Sequence, residues 1–272
     1  MAAWYDAVAN EQIGQTFIPV LHKKALTDDI EAVLGGDTDP YKNFVARMVM
    51  AMSLQKIEET YAGLADSYYL AAMQYFEEVV RLKDLRTLQC LSLISQYSLL
   101  TPTRTAVYYT VGLAVRICQQ MGLSDEKTIA LGVSDPWTID LRRRLSWAVT
   151  TQEFGLAHIM GRPNGFAKCD DMMNVQFFEM VDDDNITPQG ITPGPVAEDK
   201  AVAVHFCKMR LLQAEIRRVL YENKRQETMG SNDTWFTQMN QKIDEWLESI
   251  PKKPEWAKAW YLTRIFRLRN DS

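Results

Sequence analysis

Residues 84–102 read DLRTLQCLSLISQYSLLTP, and this stretch decides the fold class. Asp84 suits a helix N-cap, because a short side-chain oxygen can accept from the free amides of a first turn. Leu85, Leu88, Leu91 and Ile94 then step by three along one helical face. Thr101-Pro102 ends the run, since the residue before a proline disfavours the α region. The apolar period is that of a helix, not of a strand.

The same signals recur on both sides. Val107, Val111, Ala114, Cys118 and Met121 keep helical spacing, and Gly122 follows where a left-handed C-cap needs glycine. Ser134-Asp135-Pro136-Trp137 is a helix start, with Asp as cap and Pro at the first helical position. That helix is expected to run through Trp147 to Met160, and Gly161-Arg162-Pro163 ends it. Upstream, helical blocks are expected over residues 4–34, 41–59 and 62–82, the first ending at Gly35-Gly36. Downstream, Val202, Phe206, Met209, Leu212, Ile216 and Val219 mark a long helix starting near Val196. Two more are expected over 233–247 and 255–268. No alternating strand pattern and no strict repeat is evident. These readings give an all-α chain of stacked antiparallel helix pairs, an α-solenoid-like bundle forming a single domain over residues 1–272.

Residues 164–195 interrupt the helices. They hold Asn164-Gly165, the acidic run Asp182 to Asp184, and Pro188, Gly190, Pro193, Gly194 and Pro195. A loop this long in a compact domain is usually functional or mobile.

The chain has 272 residues, 47% of them hydrophobic, enough for a sizeable core. Its formal net charge is −5, which lacks the basic footprint of a nucleic-acid-binding domain. Apolar runs fall short of the roughly 20 residues a membrane helix needs. The N-terminal residues lack the basic start and apolar run of an export signal, so a reducing, cytoplasmic setting is the default. Cys90, Cys118, Cys169 and Cys207 form no CxxC pair, so no zinc or redox motif is signalled. Cys90 and Cys118 read as small buried hydrophobes.

Nucleophile elbows, P-loops and GxGxxG turns are absent from the sequence, and no catalytic, cofactor or metal set is expected. His22, His158 and His205 are far apart. His158 follows Glu153 on one helix, which would suit a base with a carboxylate partner, or simply a histidine on a helix face. Asp170-Asp171 and Asp182 to Asp184 could bind a hard cation, but their spacing matches no EF-hand, and a solvated acidic loop is expected. Arg142, Arg143 and Arg144 lie about 100° apart on a helix and cannot share one face. A structural or loop-anchoring role is expected for at least one.

Residues 85–171 carry a resemblance. Leu85-Arg86-Thr87-Leu88-Gln89, then Gly112-Leu113-Ala114-Val115-Arg116 and Met121-Gly122-Leu123, resemble successive motifs of the regulatory middle homology region of fungal zinc-cluster transcription factors. Asp140-Leu141-Arg142-Arg143-Arg144-Leu145-Ser146-Trp147 is similar to its Arg-Arg-Arg helix, and Gly161-Arg162-Pro163 to its Gly-Arg-Pro turn. Asp170-Asp171 sits where the family places acidic residues. The chain differs at Ser124-Asp125, where the family commonly has His-Arg, at Ser146 for an aromatic, and at Phe154 for an Arg.

The resemblance implies a family-like core over about residues 41–225 and a regulatory domain that senses an effector. It implies a small lipophilic effector or a protein partner, leaves a homodimer open, and places the protein in the nucleus. The six-cysteine DNA-binding cluster of such factors has no counterpart in this sequence. Alternatives are a stand-alone enzyme of a biosynthetic pathway or a protein-interaction scaffold. An enzyme's site is expected near Glu153, Phe154, His158 and the 164–195 loop.

Overall fold

A computed structural model describes residues 18–57, 59–166, 173–222 and 234–251. Ten α-helices carry most of them. In chain order they are α1 (Lys23–Leu34), α2 (Pro40–Ile57), α3 (Ala62–Met73), α4 (Phe76–Arg81), α5 (Leu85–Leu100), α6 (Val107–Gln120), α7 (Glu126–Ile129), α8 (Pro136–Met160), α9 (Glu198–Arg217) and α10 (Thr234–Glu248). The fold is all-α. A two-stranded hairpin, β1 (Ile186–Thr187) with β2 (Gly190–Ile191), is the single sheet among the described residues, pairing Ile186 with Ile191. Strands of two residues are too short to show an alternating pattern, so the sequence carried no sign of them.

The chain divides into two compact units, Met1–Thr228 and Met229–Ser272. The described part of the second centres on α10, whose apolar residues Phe236, Met239, Ile243 and Trp246 follow one helical stripe. The helix expected over 255–268 lies outside the described residues.

Within the first unit α5 is the central element. Asp84 caps it in a capping box, accepting from the Thr87 amide at 2.9 Å. Residues 87–95 are buried on every side, not on one face alone, because α2, α4, α6 and α8 all pack around this helix. Small polar residues make that approach possible. Ser95 returns its hydroxyl to the Leu91 carbonyl at 2.8 Å, a local bond that satisfies a buried hydroxyl without a tertiary partner. Leu88, Leu91 and Leu93 are fully buried, each side chain contributing roughly 1.5–3 kcal/mol of transfer free energy.

Two expected helices are interrupted. Of the block over 4–34, residues 4–17 lie outside the described residues, and α1 begins at Lys23 after a non-helical stretch over 18–22 that holds Pro19, which has no amide to donate to a helix. Residues 18–21 are buried without helix, and the Val20 carbonyl accepts from buried Gln89 at 2.8 Å. The block over 62–82 breaks at Gln74-Tyr75, where the Tyr75 amide tightens onto the Ala72 carbonyl at 3.0 Å. The chain then enters α4.

α8 is the second buried helix. Asp135 accepts from the Thr138 amide at 2.8 Å, Pro136 is its first residue, and Gly161 ends it at φ 65°. Both the Gly161 and Arg162 amides return to the Ala157 carbonyl. It packs against α5, α6 and α9 and against the hairpin.

Candidate functional site

The three arginines of α8 point three ways, as their angular spacing requires. Arg142 donates to the carbonyls of Ile129 and Leu131 at 2.8 and 3.0 Å, which satisfies the end of short helix α7. Arg143 donates to Glu126 at 2.6 Å and to the Gln176 side chain at 3.0 Å. Glu126 in turn accepts from the Gln176 amide at 2.9 Å. Arg142 therefore anchors the C-terminal end of α7, and Arg143 ties the start of α7 to the non-helical residue Gln176.

Arg144 turns inward and is 1% exposed. It donates to Asp140, one turn earlier, and to Asp183, each at 2.6 Å. Asp183 also accepts from the Lys200 ammonium of α9 at 2.7 Å, and its other oxygen accepts from the Lys23 amide at the start of α1, at 2.8 Å. Asp140 spends its second oxygen on the Glu179 amide at 2.7 Å, and Lys200 also donates to the Val181 carbonyl at 2.6 Å. Two carboxylates, one guanidinium and one ammonium thus share a buried site with no net charge. Around it, Lys23 reaches Asp199 at 3.1 Å and Asp182 at 3.5 Å.

The electrostatics follow from that geometry. Burial alone would raise the Asp183 carboxyl, but the Arg144 and Lys200 charges and their hydrogen bonds outweigh it and hold it well below the usual carboxylate range. Burial would lower Arg144, but Asp140 and Asp183 outweigh it and raise it. For Lys200, burial and the nearby Arg144 charge win over Asp183, and its ammonium is pushed down. His22 closes one edge, its ring tilted 48° to Trp137 with centroids 5.8 Å apart. Its titration is lowered, first by burial.

Within the acidic run Asp184 is exposed and Asp182 partly so, as expected of a solvated loop, but Asp183 is not solvated. Asp183 is 2% exposed, because two cations of α8 and α9 compensate its desolvation. Among the described residues, no group of three or more His, Cys, Asp or Glu side chains could hold a metal. Asp170-Asp171 lie outside the described residues.

The described part of the excursion is tied at further points. The Trp147 indole donates to the Gln176 carbonyl at 3.0 Å and its ring stacks on Phe177 with centroids 4.4 Å apart. Glu153 is buried and accepts from the Gly165 amide at 2.7 Å. Gln119 of α6 donates to the Gly165 carbonyl at 2.9 Å. Gly161, Arg162 and Pro163 form the turn that leads in.

Glu153, Phe154 and His158 are not brought together. Glu153 faces the Gly165 turn, Phe154 is 2% exposed in the core, and His158 is exposed at the end of α8. Five helical residues turn about 140° beyond a full circle, so Glu153 and His158 diverge. Arg210 and Arg217 lie near His158, whose titration is lowered first by burial and then by these two charges.

Family-divergent positions have local partners. Ser146 is buried and donates to the Leu123 carbonyl at 2.6 Å, and Asp125 caps α7 through the Lys127 amide at 3.0 Å. Buried Cys118 and Cys207 have thiols pushed up to about 12 by burial.

The profile of the family described as fungal specific transcription factor domain matches residues 11–248. The chain belongs to this family. The matched span includes the capped helix α5, the Arg-Arg-Arg helix α8 and the Gly-Arg-Pro turn. Curated relatives are regulators by name. The pyrimidine pathway regulatory protein 1 of Saccharomyces cerevisiae is 26% identical over 74% of this chain and 23% of its own length. The positive regulator of purine utilization of Emericella nidulans is 28% identical over 50% of this chain and 15% of its own. The transcriptional activator protein acu-15 of Neurospora crassa is 25% identical over 92% of this chain and 29% of its own. The chain thus spans less than a third of each of these relatives. No solved structure matches it.

Asp183, Lys200 and Lys23 were invisible as a set in the sequence, since their approach depends on tertiary packing. The pairing of Asp140 with Arg144 was also missed, although its i, i+4 spacing is the signal that could have found it.

Proposed function

We propose that this chain is the regulatory domain of a fungal transcription factor, which conditions transcription in the nucleus by taking up a small lipophilic effector or a protein partner. One observation carries the reading: the family profile spans residues 11–248, and the curated relatives are named as regulators of transcription or of metabolic pathways. The architecture supports it. The segment 173–197 is seated on α8 by ring stacking and backbone bonds and on α1 and α9 through the buried charges around Asp183, and an element whose seat depends on a shared charge cluster is the kind a ligand can bias between two arrangements.

The test joins this chain to a heterologous DNA-binding module and a strong activation segment in yeast, and reads a reporter across nutrient regimes. Output that changes several-fold with the regime, and only when the chain is present, supports the reading. Identical output with and without the chain in every regime overturns it.

A further inference from the structure

The tripeptide Ile-Thr-Pro occurs twice, at residues 186–188 and 191–193, within the segment 173–197, which the bonds of Asp183 to Arg144, Lys200 and Lys23 latch in place. With Thr101-Pro102 these make the Thr-Pro pairs of the chain; there is no Ser-Pro. The structure separates the three. Thr101 is half-buried at the end of α5, and its hydroxyl accepts from Gln55 at 2.6 Å. Thr187 is half-buried in β1, and its hydroxyl donates to the Gly190 carbonyl at 2.9 Å. Thr192 is exposed, as is every residue from Ile191 to Val196, and no hydrogen bond of its hydroxyl is found among the described residues.

A kinase that requires proline after its target uses proline's missing amide and fixed φ as the signal. It needs a free hydroxyl on a segment it can bind extended. Only Thr192 offers both. Among the described residues its backbone is held by Asn185, whose carbonyl accepts the Thr192 amide at 2.9 Å and whose side-chain amide donates to the Thr192 carbonyl at 3.2 Å. Asn185 follows Asp182, Asp183 and Asp184 directly, so charge placed on Thr192 is felt by the acidic run.

We propose that Thr192 is a phosphorylation site for a proline-directed serine/threonine kinase, and that its phosphate loosens the latch. The Thr192 oxygen attacks the γ-phosphorus of magnesium-bound ATP, the bond from that phosphorus to the bridging oxygen breaks, ADP leaves, and the hydroxyl proton passes to the kinase base. The product carries a charge of about −1.5 to −2 beside an acidic run, where like-charge repulsion disrupts packing rather than building it. Repulsion from Asp182 and Asp184, screened by salt, raises the opening constant of the hairpin about fourfold.

The experiment treats the 272-residue chain with a proline-directed kinase and magnesium ATP, then maps phosphate by peptide mass and follows amide exchange over residues 181–197. The expected result is one phosphate at Thr192, lost in Thr192→Ala and kept in Thr187→Ala. Exchange of the Thr192 amide and of residues 184–187 becomes about fourfold faster. Absence of phosphate at Thr192, earlier uptake at Thr101 or Thr187, or phosphate at Thr192 with unchanged exchange each overturns the proposal.

Discussion

Replacing Arg144 with Met keeps the stem of the side chain and removes its charge and both 2.6 Å hydrogen bonds. Two buried carboxylates then face one buried ammonium. The side chains of Asp140, Asp183 and Lys200 are at most 3% exposed, so water cannot replace what is lost. Breaking one member of a buried ion cluster costs about 3–5 kcal/mol. With a urea slope of about 3 kcal/mol per molar, a loss of about 4 kcal/mol lowers the midpoint by about 1.3 M. Circular dichroism in urea at pH 7 reads this directly. The pH dependence gives a second reading. In the native protein the Asp183 carboxyl is held low, so its stabilisation is full above the unfolded carboxylate pKa of about 3.9 and is lost as pH falls below it. In the variant the stranded carboxylates gain by protonation, so the gap to the native protein narrows from pH 7 towards pH 4. A fourfold apolar replacement, Asp140→Leu, Arg144→Met, Asp183→Leu and Lys200→Met, recovers most of the loss, because no unpaired charge remains. An Arg144→Met midpoint within 0.3 M of the native one (about 1 kcal/mol), with a gap that ignores pH, would refute the reasoning.

Gly122→Ala is expected to cost more than Gly161→Ala in thermal melts. Both glycines have left-handed φ, near 69° and 65°, at about 1–2 kcal/mol each, but only at Gly122 does the new Cβ press on Thr128, at 3.1 Å. Asp135→Ala removes the cap of α8 and lowers stability by about 1 kcal/mol, measured by urea titration. His205 is buried and its titration is lowered to about 4, first by burial and then by Lys208. Its folded value lies below the unfolded 6.5, so stability present above pH 6.5 is lost as pH falls towards 4. His205→Asn should flatten that slope in pH-dependent melts, and an unchanged slope would remove His205 as its source.

Where the fold was legible, the signals were local. Asp84, Asp135, Pro136 and Gly161 announce helix ends through bonds to their own neighbours, and the chain obeys them. All-α character followed from such caps and from the apolar period. The exposure of each face did not follow, since α5 is surrounded and Gln89, Ser92 and Ser95 are buried with its leucines. Asp183 alone of the acidic run departed from the expected solvation, for the same reason: a carboxylate reads as solvated unless its cations can be seen, and Arg144 and Lys200 lie 39 and 17 residues away. The Arg-Arg-Arg motif was visible, but the separate tasks of its members are set by what packs on each face of α8.

The Asp183 carboxylate accepts from the Lys23 amide, 160 residues earlier in the chain. A bond with that separation cannot form until most of the intervening helices are in place, because loop closure must come before its reward. The latch is thus a late checkpoint in assembly. The short-range caps of α5 and α8 can form early, whereas the start of α1 and the excursion find their positions only together. A nascent chain still lacking Asp183 holds Arg144 with half its partners missing, which makes the completed segment the step that commits the domain to its native packing.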